Sequence, residues 1–209
     1  MPNLYPALER QEVVVHSPRH VSSLAEVDDA DLALLAEAWQ RRVREVGTAG
    51  YVHAFVNERR AAGASLPHSH SQLVWLPAVP PEVARADGDG GGGTELVVHE
   101  RGAVLLRSAA APRAAYELEV VPGGGARDAW RDERLATALQ LAAEALRRLQ
   151  ALEGPVAANL WLHAPPGKPW RIAILPRIGI LAGLELGAGV YINPVPPDEA
   201  ARALRCAGA

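Results

Sequence analysis

A single cysteine, Cys206, in 209 residues excludes an internal disulfide framework and a cysteine-rich zinc cluster. A positive excess is missing too. The 21 Lys and Arg stand against 24 Asp and Glu, a net charge of −3, so nucleic acid is not expected to be held by bulk charge. No apolar run approaches the roughly eighteen residues that argue for a membrane-spanning helix. The opening residues, Met1 to Pro6, lack a basic stretch followed by an apolar core, so no secretory signal is expected. The glycine run Gly90–Gly93 lacks the Lys-Ser/Thr and following helix of a phosphate-binding loop. A Gly-x-Ser-x-Gly elbow is absent as well. The expectation is a globular, cytoplasmic protein with neither nucleic acid nor membrane as partner.

What is present is an ordinary globular composition, 49% hydrophobic and 22% charged. Its clearest break is 87–94, which holds five glycines and reads as a linker between a first half, 1–86, and a second, 95–209. In the first half, Glu12–His16, Tyr51–Asn57 and Gln72–Leu76 have strand character. Leu32, Leu35, Trp39, Val43 and Val46 recur every three or four residues. This spacing predicts a helix over 29–46, capped by Asp28 or Asp29 and ended by Gly47. The second half repeats the pattern. Strands are expected at 95–99, 103–107, 116–121, 158–163 and 170–175, a long helix over 128–152, and a short one from Pro197 after a glycine-rich turn. The fold class is α+β, as two tandem half-units, each with an antiparallel sheet and one long helix.

One stretch stands apart. Residues 57–72 read Asn-Glu-Arg-Arg-Ala-Ala-Gly-Ala-Ser-Leu-Pro-His-Ser-His-Ser-Gln. Gly63 allows a close backbone approach, Ser65 supplies a hydroxyl, and Pro67 stiffens the entry. In extended chain His68, His70 and Gln72 share one face. Two imidazoles and an amide beside a glycine and a serine can hold a phosphate while one ring attacks it. Imidazole is largely unprotonated near neutral pH, and a carbonyl on its other nitrogen would fix its tautomer. A metal site or a polar strand edge is the other reading of His-x-His.

Asn57 through Gln72 resembles the signature of galactose-1-phosphate uridylyltransferase and its relatives in the histidine-triad (HIT) superfamily: an Asn, a Gly-x-Ser, then Pro-His-x-His-x-Gln. Further blocks fit in the same order: Pro2–Leu8, Ser17-Pro18-Arg19-His20, Asn159–His163, Leu175-Pro176-Arg177 and Gly183–Gly187. The resemblance implies a HIT-like fold and a nucleotidyltransferase that passes a nucleoside monophosphate between a nucleotide sugar and a sugar-1-phosphate. His70 would be the nucleophile that carries the nucleotide, Gln72 would hold the phosphoryl oxygen, and His68 would neighbour the nucleophile's loop. Asn57, Gly63, Ser65 and Asn3 would bind substrate. Glu185 would contact the sugar across an interface, which implies a homodimer. The alternatives are a nucleotide phosphorylase or hydrolase of the same superfamily, and a non-catalytic nucleotide-binding relative.

The sequence departs from the family in several places. Relatives bind zinc through two cysteines and two histidines. His20 and His68 match the histidines, but the cysteines are absent, and two imidazoles make a weak site. No metal is therefore expected. A second family metal site would have His163 at one position, with Arg171 and Ala173 at the others. Leu184 stands where a tyrosine is common. His16, His53 and His99 read as satisfied polar residues, and Arg177 as either a phosphate contact or the partner of a buried acid.

Overall fold

The computed structural model describes residues 1–85 and 92–208. The predicted amphipathic helix forms over the expected residues as α1 (Asp29–Val46). Asp28 Oδ1 accepts from the Asp31 N–H, and Gly47, at φ +90°, ends the helix in a conformation that favours glycine. The remaining helices are α2 (Pro81–Arg85), α3 (Leu135–Glu153), α4 (Gly183–Ala188) and α5 (Pro197–Ala207). α3 begins later than its periodicity suggests. Asp128 and Asp132 use their carboxylates on the backbone N–H groups of Trp130 and Arg134, holding 128–134 in turns. The glycine-rich turn contains the short α4, whose Glu185 carboxylate accepts from the Ala182 N–H.

The strands are β1 (Gln11–Val15), β2 (Tyr51–Glu58), β3 (His70–Leu76), β4 (Val97–Arg101), β5 (Val104–Ser108), β6 (Leu118–Pro122), β7 (Ala158–His163) and β8 (Arg171–Pro176). All pair antiparallel in one sheet of order β1-β3-β2-β7-β8-β6-β5-β4. The expected sheets of the two halves are thus one continuous sheet. β2 and β7 join them, with Phe55 opposite Trp161 and Asn57 opposite Asn159. Pairing these two strands satisfies backbone groups that two separate sheets would leave open at their edges. Most of the expected linker, 87–91, lies outside the described residues.

The long helix of each half, α1 and α3, packs against the other over one face of the sheet. Period-two alternation places Ala54, Val56, Leu73, Leu118, Val120, Leu160, Leu162, Ile172 and Ile174 in the core beneath them, all nearly inaccessible. The opposite face is polar and aromatic. There, Val13, Gln72, Phe55, Trp161, Ala173, Glu119 and Arg107 lie in register across seven strands. Burial of the helix-covered face at about 25 cal/mol per Å² fixes the strand register, and that register presents the other face's polar side chains at set spacings.

Candidate active site

β3 begins earlier than its hydrophobic run suggests. His70 is its first residue, opposite Val15, and lies on the face away from the helices. Its ring is 4% exposed. His70 Nδ1 lies 2.8 Å from the His68 carbonyl. A carbonyl can only accept, so Nδ1 carries a proton, and in the neutral ring Nε2 then holds the free lone pair. That Nε2 makes no hydrogen bond among the described residues. The same reasoning fixes His68, whose Nε2–H donates to the Ser17 carbonyl at 3.1 Å. On the other face, Trp39 Nε1–H donates to Ser71 Oγ at 2.9 Å, tying the strand beside His70 to α1.

Gln72, two residues on, is oriented by a relay. The Ala7 N–H donates to Gln11 Oε1 at 2.8 Å, which turns the Gln11 amide nitrogen to Gln72 Oε1. Gln72 is left with its NH₂ as donor. Asn3 flanks this relay: its N–H donates to the Gln11 carbonyl at 2.9 Å, and its Oδ1 accepts from the Tyr5 N–H.

Across β2 and β7 a second network shapes the loop before the histidines. Asn57 Nδ2 donates to the Gly63 carbonyl at 3.3 Å. Asn159 Nδ2 reaches Asn57 Oδ1 and the Ala62 carbonyl, each at 2.9 Å. Gly63 has φ +93°, a conformation that an L side chain rarely adopts. Ser65 is exposed, and its hydroxyl makes no hydrogen bond among the described residues. Arg177 Nη1 approaches Asn159 Oδ1 at 3.4 Å, and no carboxylate partner is found among the described residues. Arg177 is therefore an exposed cation at the asparagine pair rather than the partner of a buried acid.

The other expected residues lie apart. Glu185 caps its own helix, and the Ala182 N–H holds its carboxyl below the usual range. No hydrogen bond, ion pair or ring contact joins α4 to the histidine loop among the described residues. His20 and His68 meet edge to face with centroids 5.4 Å apart. No group of three His, Cys, Asp or Glu side chains suited to a metal occurs among the described residues. With His68 Nε2 occupied by Ser17, the residues present do not fit closed zinc coordination. On the polar face, Arg171 pairs with Glu119 at 2.9 Å, and Glu119 also meets Arg107 at 3.1 Å. His163, opposite Arg171, is buried, and burial with nearby cations pushes its ring down to about 4.

Three contributors were not legible in advance. Gln11 reaches Gln72 only because β1 pairs with β3. Arg113, stacked over Trp161 at 5.2 Å, comes from a connection with no motif of its own. His16, read as a satisfied polar residue, is buried behind the histidine loop with Nδ1 2.8 Å from Ser69 Oγ. Burial, with His70 and His68 nearby, pushes its ring down to about 3.

Known proteins resemble this chain in sequence and in fold. Residues 7–80 match the family model of the N-terminal domain of galactose-1-phosphate uridyl transferase. An ADP-glucose phosphorylase of Arabidopsis thaliana is 28% identical, the match covering 97% of this chain and 72% of that protein. A galactose-1-phosphate uridylyltransferase of Thermotoga maritima is 25% identical over 93% of this chain and 73% of its own length. The crystal structure of an Arabidopsis thaliana ADP-glucose phosphorylase with bound ADP-glucose superposes with a TM-score of 0.86 at 23% identity, covering 98% of this chain and 80% of that one. With the Pro-His-Ser-His-Ser-Gln segment inside the matched region and the fold shared along the chain, this protein is similar in sequence and fold to galactose-1-phosphate uridylyltransferase-like proteins.

Proposed function

We propose that this protein transfers a nucleoside monophosphate from a nucleotide sugar to a phosphate acceptor through a covalent nucleotidyl-histidine on His70. The observation that carries the reading is the hydrogen bond from His70 Nδ1–H to the His68 carbonyl, which in the neutral ring leaves the lone pair on Nε2. In the first half-reaction the Nε2 lone pair attacks the α-phosphorus and a P–N bond forms. The bond from the α-phosphorus to the bridging oxygen breaks, and the sugar-1-phosphate leaves with its electron pair. The ring becomes cationic, and the His68 carbonyl on Nδ1–H stabilises that charge. The Gln72 NH₂ and the Ser65 hydroxyl donate to phosphoryl oxygens, Arg177 adds a cation, and Gly63 lets the backbone approach. In the second half-reaction an acceptor phosphate oxygen attacks the same phosphorus and releases His70.

The acceptor divides two readings. A sugar-1-phosphate would give a new nucleotide sugar, as the likeness to the Thermotoga maritima uridylyltransferase suggests. Inorganic phosphate would give a nucleoside diphosphate, which the likeness to the Arabidopsis thaliana phosphorylase favours. The reading includes a cytoplasmic homodimer, since the segment that would meet a second copy exposes Ile180 at 93% and Leu186 at 74%. Offering ADP- and UDP-sugars with either acceptor, and identifying products by chromatography, tests it. Nucleoside diphosphate formed only with inorganic phosphate establishes phosphorolysis. A new nucleotide sugar formed with a sugar-1-phosphate establishes exchange, and no turnover with any pair sinks the enzymatic reading.

A further inference from the structure

The His70 tautomer depends on where the His68 carbonyl points, and that carbonyl belongs to a planar trans peptide whose N–H is that of Ser69. Fixing the Ser69 N–H therefore fixes the direction of the His68 carbonyl. Ser69 is tied at all three of its polar groups. Its N–H donates to the Val21 carbonyl at 2.8 Å, its carbonyl accepts from the His16 N–H at 3.2 Å, and its hydroxyl meets His16 Nδ1 at 2.8 Å. His16 supplies two of the three ties. The next residue, Ser17, offers the carbonyl that holds His68 Nε2–H. A surface serine at the end of a strand needs none of this.

The His16 ring is 3% exposed, and its Nε2 is buried without a partner. A buried imidazole with an unmet nitrogen is costly, so packing alone gives no reason for a histidine rather than an apolar ring of similar size. What an apolar ring lacks is a polar atom at the Nδ1 position, directed at Ser69 Oγ. Ser69 is itself 6% exposed, so its hydroxyl has no ready replacement partner in water.

We infer that His16 is a positioning residue for the reaction. Through Ser69 it clamps the peptide whose carbonyl holds the His70 Nδ1 proton, and so keeps the reacting Nε2 unprotonated and aimed at the open sheet face. The inference rests on the reading of His70 as nucleophile, but its structural half can be tested without turnover. The ¹⁵N resonances of the His70 ring, recorded near pH 8 by long-range ¹H–¹⁵N correlation, report the tautomer directly.

Wild-type protein is expected to show His70 as the Nδ1–H tautomer. In His16→Phe, which keeps an apolar ring but no Nδ1, the two tautomers should mix. Transfer should fall about tenfold in kcat with KM within about twofold, because only the reacting atom is displaced. His16→Asn, whose amide reaches the position of Nδ1, should restore most of the tautomer and the rate. Ser69→Ala removes the other end of the clamp and, should His16→Phe fail to fold, gives the same test. Where both fold, the double variant should be no worse than either single one. An unchanged Nδ1–H tautomer and unchanged kcat in folded His16→Phe or Ser69→Ala would overturn the clamp. Absence of transfer in the wild type, with the tautomer responding as expected, would overturn the nucleophile reading and leave the clamp standing.

Discussion

Two exposed segments of this protein are built on opposite principles. The loop from Arg59 to His70 is polar, yet most of its turns are tied by hydrogen bonds: Asn57 and Asn159 at Gly63 and Ala62, Ser17 at His68, Val21 and His16 at Ser69. The segment from Ile178 to Ile192 is apolar and is held mainly by its own short helix. Ile180, Leu186 and Ile192 are exposed, with no apolar cover among the described residues. The first arrangement restricts where its atoms can lie, as a reacting group requires. The second suits a surface that another molecule covers. One chain therefore holds a pinned loop, carrying the proposed nucleophile, and an uncovered apolar segment that the proposed homodimer would cover.

The comparison is sharpened most by removing the proposed nucleophile. His70→Ala is expected to lower transfer about a thousandfold or more while leaving the fold and the oligomeric state unchanged. Steady-state rates beside sedimentation of the same preparations would show it. A residual rate within tenfold of wild type would mean that the pinned loop does not do the chemistry.

Acid should act next, and from the buried histidines. His16 and His163 are held neutral by burial, at about 3 and about 4 against an ordinary value of 6.5. Their folded values are depressed, so the unfolded chain takes up protons first. The stability they contribute is complete above about pH 6.5 and falls as pH drops toward 4 and then 3, by up to about 1.4 kcal/mol per pH unit for each ring. Denaturant midpoints at pH 7, 6 and 5 should fall steadily. His53 is shifted down by burial as well, so in His163→Phe the slope should become shallower without vanishing, whereas an identical slope would clear His163 of the effect.

A smaller effect is expected at Gly63. Adding a side chain at φ +93° with Asn57 Nδ2 3.4 Å away should cost about 1 kcal/mol in Gly63→Ala and weaken donor binding several-fold. Differential scanning and donor titration check the two halves of that statement. The smallest effect on the folded chain belongs to the other segment. Leu186→Asp should leave chain stability within about 0.5 kcal/mol in the monomer but shift the molecule from dimer to monomer. Light scattering during gel filtration reads the mass. A wild-type monomer at micromolar concentration would leave the apolar segment without its proposed cover.

The sequence made much of this legible because each signal was local. The helix over 29–46 forms with its cap at Asp28 and its stop at Gly47, since periodicity, a capping carboxylate and a glycine act within one segment. The spacing of His68, His70 and Gln72 put chemistry-bearing groups beside one another, and the carbonyl expected on the His70 ring is that of His68. Contributions from strand pairing were not legible. Gln11 and Gln72 are 61 positions apart and meet only across β1 and β3. Asn57 and Asn159 are 102 apart and meet only because β2 and β7 merge two sheets. The delayed start of α3 was hidden for a different reason: Asp128 and Asp132 compete with the helix for backbone N–H groups, and periodicity does not register that competition.

The most direct test of the central claim is the intact mass of the protein after incubation with ADP-glucose and, separately, UDP-glucose, beside His70→Ala. The account predicts a gain of one nucleoside monophosphate in the wild type, none in the variant, and its removal when phosphate or a sugar-1-phosphate is added. Turnover of either donor with no mass gain in single-turnover quench samples, or an adduct that persists in His70→Ala, would contradict it.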